Sequence, residues 1–403
     1  MERNDINADE ETVFQSLMEW INSDEDRQGH LPNLLQLVRL GCLDKEFFEE
    51  QVQKNALIQE GCKGSKILCN FVHRVQAYFN SPRLEKPDFA KPRSTEDVIL
   101  VIGGGSNGND LASMESYDLR ANKWCTSNLE DPLGPRWDLS AAVIGARLFL
   151  VGGVKGGRIL KEGVMMDLAA DGKAKNIAPM HIARMRFCLV SFKEHLYAIG
   201  GRSNERGSIQ EMSMEKSMER YDTRENQWEL MPDMQQGRYE PGCAVFSHLI
   251  VVAGGYEDGF LNTVEAYDTN TGTWSSLPKM TKRRTDLSCA VHNQELYVLG
   301  GDPRTSGRTT WEKYNFNTKK WTILGELDLL SPYDLNTFIL DAKLFVIGGR
   351  FGKTVATYDE AQKKWRQRHT EMNVNRWWQA TALVRGVDIG KKALRTFQHP
   401  SRL

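Results

Sequence analysis

An arginine stands sixteen residues ahead of a glycine pair at three places, Arg136, Arg238 and Arg284. A guanidinium at a recurring position offers bidentate hydrogen bonds to carboxylate or phosphate. In the third unit the interval reads two residues short and offers Arg184 and Arg186; Arg376 supplies the residue near the C-terminal end, and Pro332 replaces it once. Trp137, Tyr239 and Trp377 each follow one of these arginines directly, with Trp378 next to the last. Behind the glycine pairs come Gly105, Val154, Arg202, Tyr256, Asp302 and Arg350, with Asn204 two residues past Arg202. Arginines beside exposed aromatics are the usual composition of a protein-binding hot spot. A competing reading exists. Asp138, Glu240 and Asp286 lie two residues after Arg136, Arg238 and Arg284, and Asp334 two after Pro332. Residues i and i+2 of a strand share a side, so each arginine could pair with its own acid. Both readings stand at this point; on the first, the set favours an acidic segment of a partner protein.

Enzymatic chemistry finds less support. The eight histidines, at 30, 73, 181, 195, 248, 292, 369 and 399, fall at dissimilar distances from the glycine pairs, and none follows a pair directly. A copper site needs His and Tyr ligands converging on one point. No GxSxG, HExxH or P-loop occurs. The seven cysteines, at 42, 62, 69, 125, 188, 243 and 289, are scattered and never form CxxC, which reads as reduced, buried thiols. No catalytic residue, metal or cofactor is expected.

The elements that must position these residues are repeats. An apolar run ending in Gly-Gly occurs six times, with pairs beginning at Gly103, Gly152, Gly200, Gly254, Gly300 and Gly348. The intervals, 46 to 54 residues, match the kelch period of roughly 50. In five units a Tyr precedes a Trp by seven residues: Tyr117/Trp124, Tyr221/Trp228, Tyr267/Trp274, Tyr314/Trp321 and Tyr358/Trp365. The second unit has lost both, with Met166 at the Tyr position, and is counted as a degenerate blade. Apolar runs of this length read as buried strands, and Tyr and Trp suit the surfaces between wedge-shaped sheets. The fold expected is mainly β: a six-bladed kelch β-propeller over residues 96–386, each blade with strands A to D from the inside out. The chain enters blade one at strand B. Its missing strand A is expected at 375–384, closing the ring and removing open edges. Strand A leaves, and strand B returns to, one face, so the arginines and the residues behind the glycine pairs share that mouth. The third blade's long loop, SNERGSIQEMSMEKSMER, falls there too, and reads either as a place for specificity or as a disordered segment.

Ahead of the ring, residues 10–79 change to a helical period. Val13, Phe14, Leu17, Trp20 and Ile21 form one apolar face. Pro32 suits a helix start, and Asp44 and Ser65 suit N-caps. Residues 1–9 read as disordered, 80–95 as a Pro-containing linker and 387–403 as a tail. The formal net charge of −1 gives no global drive towards nucleic acid or an acidic membrane. The polar, acidic N-terminus lacks the pattern of a signal peptide, and no apolar run is long enough to span a bilayer. A cytoplasmic chain is expected.

The segment from EETVFQSLMEW to FFEEQV resembles the BACK domain, and BACK followed by six kelch repeats is similar to the kelch-like family over nearly the whole chain. The resemblance implies a protein-interaction module: the substrate-recognition part of an adaptor for a cullin-RING ubiquitin ligase, with the propeller mouth as binding surface. In that family a preceding BTB domain dimerises and, with the first BACK helices, docks the cullin. This sequence begins inside BACK without a BTB segment, so cullin is expected only indirectly, and a BTB-less competitor of a full-length adaptor is an alternative. Some members bind actin, which makes a cytoskeletal propeller another. Some kelch propellers are copper oxidases; the histidine placement argues against that class.

Overall fold

A computed structural model describes residues 10–43, 45–80, 87, 89, 97–118, 123–170, 173–204, 213–301, 309–327, 334–340, 343–348, 354–360 and 362–385. Two compact units separate, Met1–Glu96 and Asp97–Leu403. The Asp44 cap, Pro332, Asp302, Arg350, the terminal segments 1–9 and 387–403, the middle of the third blade's long loop, and the linker apart from its first residue, Pro87 and Phe89, lie outside the described residues.

In the first unit, Glu10–Asn22 is a helix that buries Val13, Phe14, Leu17, Met18 and Ile21. Trp20 departs from the expected apolar face: it is 43% exposed, and Arg27 stacks on its ring. Met18 takes the core position instead. Pro32 sits in the first turn of Leu31–Leu35. The Ser65 hydroxyl accepts the Leu68 N–H at 3.3 Å and caps the helix Lys66–Asn80.

The second unit is a six-bladed propeller of antiparallel four-stranded sheets. Blade four shows the pattern: strand A Gly242–Phe246, B Leu249–Ala253, C Val264–Asp268 and D Thr273–Leu277. Blade one is built from both ends of the unit. Its strand A is Ala380–Val384, paired antiparallel to strand B, Val98–Ile102, with Ile102 opposite Ala380 and Val98 opposite Val384. The ring therefore closes through the C-terminal strand, as its sequence pattern requires.

The core lies between blades. Tyr221 and Trp228 of blade three pack with Phe149 and Val151 of blade two. Three outer-strand tryptophans also tie to the connection that enters their blade: Trp228, Trp274 and Trp321 donate Nε1–H to the carbonyls of Ala178, Pro232 and Pro278 at 2.7–2.8 Å. In the degenerate second blade, Met166 is buried with Leu168 against Leu100 and Met114 of blade one. Apolar volume thus replaces the missing Tyr, and the blade is complete. Gly104 has φ +86, and a Cβ there would lie 2.6 Å from the Trp377 carbonyl oxygen, so the close approach of the chain entering strand A to the end of strand B of blade one needs glycine.

Because strand Ala380–Val384 is paired on one edge to blade one and its neighbours pack beside it, its loss opens the whole ring. Deletion of residues 371–403 should lower the melting temperature of the propeller unit by roughly 10 °C or more, at about 2–4 °C per kcal/mol for a domain of this size. Thermal unfolding followed by circular dichroism checks it; a melt unchanged from the intact chain would show that the ring does not depend on this strand.

Candidate partner-binding face

The recurring arginines are among the most deeply buried charges of the described residues. Arg136, Arg184, Arg238, Arg284 and Arg376 are all 0% exposed. Each donates from Nη1 to the carbonyl of the first glycine of its own blade: to Gly152, Gly200, Gly254, Gly300 and Gly103, at 2.6–3.0 Å. The carbonyls of Arg136, Arg184, Arg238 and Arg284 in turn accept the N–H of the second glycine of the preceding blade. One residue thus links two blades with both its backbone and its side chain.

The carboxylates that meet these guanidinium groups come from strand C. Arg184 pairs with Glu219, Arg238 with Glu265, Arg284 with Glu312 and Arg376 with Glu115, at 2.6–3.1 Å. The same carboxylates accept backbone N–H groups from the connection entering strand A: Glu312 from Thr281 and Lys282, Glu115 from Asn373 and Val374. Burial lowers the pKa of Arg184, Arg238 and Arg376, and the facing glutamates counter it.

The exceptions follow the same logic. Blade two has Val164 at the glutamate position, and Asp131, from the connection before the strand, takes Arg136 instead. In the sixth repeat Pro332 replaces the arginine, and Ala356, buried, stands where the glutamate would be. A buried charge without its partner costs about 3–5 kcal/mol, whereas losing both partners is tolerated. The glutamates were legible but missed: they precede the tyrosine by two residues in four repeats, at Glu115, Glu219, Glu265 and Glu312.

These contacts correct the sequence-based site. Arg136, Arg238, Arg284 and Arg376 hold the ring together and do not reach a partner. They do pair with acids, but not with those two residues on. The third blade is not short: Arg184 stands sixteen residues before Gly200 and occupies the common position, which leaves Arg186 in a different one. The residue two past the arginine position is Asp138, Arg186, Glu240, Asp286, Asp334 or Trp378, and every one has φ between 52° and 58°. This left-handed backbone breaks the alternation that would have placed i and i+2 on one side.

Those six residues form a hoop at the mouth of a central channel of about 360 Å³. Asp138 N–H donates to Trp378 O, Arg186 to Asp138, Glu240 to Arg186 and Asp286 to Glu240, at 3.0–3.3 Å. The Asp334 N–H donates to Oδ2 of Asp286 at 3.1 Å. Arg186 lies between carboxylates, donating to Asp138 at 2.6 Å and to Glu240, and stacks 5.1 Å from the Trp378 ring centroid. Burial opposes the Arg186 charge, but Asp138, Asp286 and Asp334 outweigh it and raise its pKa. Burial pushes the Asp138 carboxyl up to about 6, against the pull of Arg186 and with Asp286 adding to the rise.

Around the hoop lies a half-buried rim. Trp137 bridges to Val154, Tyr239 to Tyr256 and Trp377 to Gly105, so the residue after each arginine pairs with the residue behind the glycine pair. Arg202 stacks 4.8 Å over Tyr239, whose ring contacts Tyr256, which in turn meets Phe260 edge-on. Trp137 packs against Trp378 with ring centroids 5.1 Å apart and the planes tilted by 36°. Asn204 is half-buried beside the short strand Arg202–Ser203. The structure thus brings Trp137, Arg186, Arg202, Asn204, Tyr239, Tyr256 and Trp377 to one face, and the expected set changes from arginine-rich to mixed acid and aromatic. Among the described residues no group of three or more His, Cys, Asp or Glu side chains is arranged to hold a metal ion.

A family model described as the KLHDC2/KLHL20/DRC7 Kelch-repeats domain matches residues 186–388, half of the chain. The chain belongs to the kelch-like family. BACK (BTB And C-terminal Kelch) matches residues 1–53 and the Kelch motif residues 92–127. Kelch-like protein 25 of Rattus norvegicus is 28% identical over 372 residues, covering 89% of this chain and 61% of the relative. The Homo sapiens protein of that name is 26% identical over 371 residues with the same coverage. Kelch-like protein 35 of Mus musculus is 28% identical over 261 residues, covering 62% of this chain and 42% of the relative. The chain thus spans about three fifths of the length of its first relatives. A propeller of this family is a protein-interaction scaffold, and this one fits that class.

Two measurements test the electrostatics. Arg238→Ala should cost about 3–5 kcal/mol in urea denaturation, because Glu265 is left buried and alone. Arg238→Met combined with Glu265→Leu should cost clearly less than the sum of the two single changes, because the backbone groups are orphaned in any case; strict additivity would refute the pairing. Asp138, with its pKa raised to about 6, contributes stability that is full below pH 4 and lost as pH rises through 6. Relative to Asp138→Asn, the unmodified protein should lose up to about 3 kcal/mol between pH 4 and 7, at about 1.4 kcal/mol per pKa unit. A difference independent of pH would mean that Asp138 is ionised as usual.

Proposed function

We propose that this chain supplies the substrate-recognition part of a kelch-like adaptor for a cullin-RING ubiquitin ligase, and that it grips its substrate protein at the face where strands A begin. The observation that carries the reading is the rim of half-buried rings and cations on that face, above all Arg202 stacked on Tyr239 with Tyr256 and Phe260 behind it. Aromatic and arginine side chains held rigidly at a concave opening are what binding hot spots use. None of Arg202, Tyr239 and Tyr256 takes part in the buried arginine–carboxylate pairs, so the face can vary while the ring stays intact. Family membership supports this class of activity.

The test is quantitative capture of partner proteins by the intact chain and by Arg202→Ala/Tyr256→Ala side by side. The variant should keep its melting temperature within about 2 °C, as expected for surface changes worth about 0.5 kcal/mol or less. It should lose its partners, and those partners should show reduced ubiquitination in cells carrying the variant. Retention of every partner by a folded variant would place recognition elsewhere, and cosedimentation of the chain with filamentous actin alone would favour a cytoskeletal role.

A further inference from the structure

We propose that Cys62, Cys69 and His73 of the helical unit form a modification site, at which a hydroperoxide oxidises the two thiols to a disulfide. Cys62 lies near the end of the helix Ala56–Gly64 and Cys69 near the start of the helix Lys66–Asn80. Ser65 alone separates these helices, and they approach closely: a Cβ at Gly61 would lie 2.9 Å from Leu68 Cδ2. The turn sets Cys62 beside Cys69, and their thiols share a hydrogen bond. His73 follows Cys69 by four residues and so shares its face of the helix. Its Nδ1 lies 3.7 Å from the Cys69 Sγ. Both thiols are free and half-buried, not buried as scattered cysteines suggest, and His73 is exposed, so a small oxidant reaches all three.

The three side chains divide the work. A thiol reacts as its thiolate, and a base within reach of the proton supplies one. The neutral imidazole of His73, in its Nε2–H tautomer, presents a lone pair at Nδ1 to Cys69. Burial, and then the charge and hydrogen bond of Cys69, push the Cys62 thiol up, so Cys62 keeps its proton. The Cys69 sulfur attacks one oxygen of the peroxide and the O–O bond breaks. The Cys69 proton passes through His73 to the departing oxygen, which leaves as water or an alcohol, and Cys69 becomes a sulfenic acid. The Cys62 sulfur then attacks the Cys69 sulfur, and the displaced hydroxide takes the Cys62 proton and leaves as water. Two thiols lose two electrons and two protons, one peroxide gains them, and no other reactant is needed. Cys188 and Cys243, which meet between blades three and four, make the contrast. Cys188 is buried, and that burial and its hydrogen bond with Cys243 push its thiol well up. Its Sγ donates to the Pro241 carbonyl at 3.3 Å, so its proton is offered to the backbone and not to an imidazole.

The experiment treats the whole, fully reduced chain with hydrogen peroxide, blocks remaining thiols with N-ethylmaleimide and maps the products by mass spectrometry after trypsin. Lys63, Lys66 and Arg74 place Cys62 and Cys69 in separate tryptic peptides, so their disulfide appears as a cross-linked pair. That pair should form at least about tenfold faster than any product of Cys188 and Cys243. In Cys62→Ser, dimedone should trap a sulfenic acid at Cys69; in Cys69→Ser, Cys62 should give no comparable adduct. His73→Gln, a change at an exposed residue, should leave the circular dichroism spectrum unaltered and slow oxidation of Cys69 roughly tenfold or more. If Cys62→Ser fails to fold, Cys62→Ala takes its place. The proposal is overturned if either cysteine pairs with a different one, or if peroxide oxidises the methionines before the cross-link forms. It is equally overturned if Cys62 is the residue that dimedone traps, or if folded His73→Gln reacts at the rate of the unmodified chain.

Discussion

The ring depends on a buried ion pair repeated from blade to blade. At the point where strand B ends in Gly-Gly and the connection from the preceding blade arrives, several backbone groups meet the buried arginine and glutamate side chains. Arg284 answers the carbonyls of Gly300 and Thr310, while Glu312 answers the N–H groups of Thr281 and Lys282. The two side chains then neutralise each other. A pair of apolar residues would fill the volume but leave four polar groups unsatisfied, each at a cost of about 1–3 kcal/mol. The pair is therefore best understood as a polar plug for a backbone junction, not as an isolated salt bridge, whose net worth in a protein interior is small.

That constraint sets where function can reside. The arginine position is fully occupied inside the ring, so it has no freedom to contact a partner. The two residues that follow it are released by the same geometry. The first pairs with the residue behind the glycine pair and becomes rim, as Tyr239 does with Tyr256. The second adopts the left-handed backbone, joins the hoop and lines the channel, as Glu240 does. A run of three residues thus holds, in order, a structural anchor, a rim contact and a channel contact. Substitution at the second and third can alter recognition without touching the first.

Much of this was legible in the sequence. Six glycine pairs in phase with five Tyr–Trp pairs required a six-bladed ring, and the strand-like segment near the C-terminus required closure onto blade one. Apolar patterning reports burial directly, which is why these readings hold. The arginines were visible, but their burial was not, because a charged side chain is read as exposed unless its partner is found. The partner was present, two residues before the tyrosine, at Glu115, Glu219, Glu265 and Glu312. The orientation of Asp138, Glu240 and Asp286 was not legible, since it follows from positive φ at residues that are not glycine. Trp20 failed for a related reason: helical spacing placed it on the apolar face, but stacking with Arg27 lets its ring remain partly in water.

The correction removes the repeat arginines from the charge of the site. Arg136, Arg184, Arg238, Arg284 and Arg376 each face a buried carboxylate, so their charges are cancelled within the wall and project little field into the channel. A nearly neutral chain hides this, because the total does not tell which charges are already matched. The hoop residues line the mouth instead, with Arg186 set between Asp138 and Glu240. Counting the arginines of the repeats therefore points to an acidic partner, whereas their burial against carboxylates withdraws that argument. In this chain every described repeat that has an arginine at this position buries it in the ring.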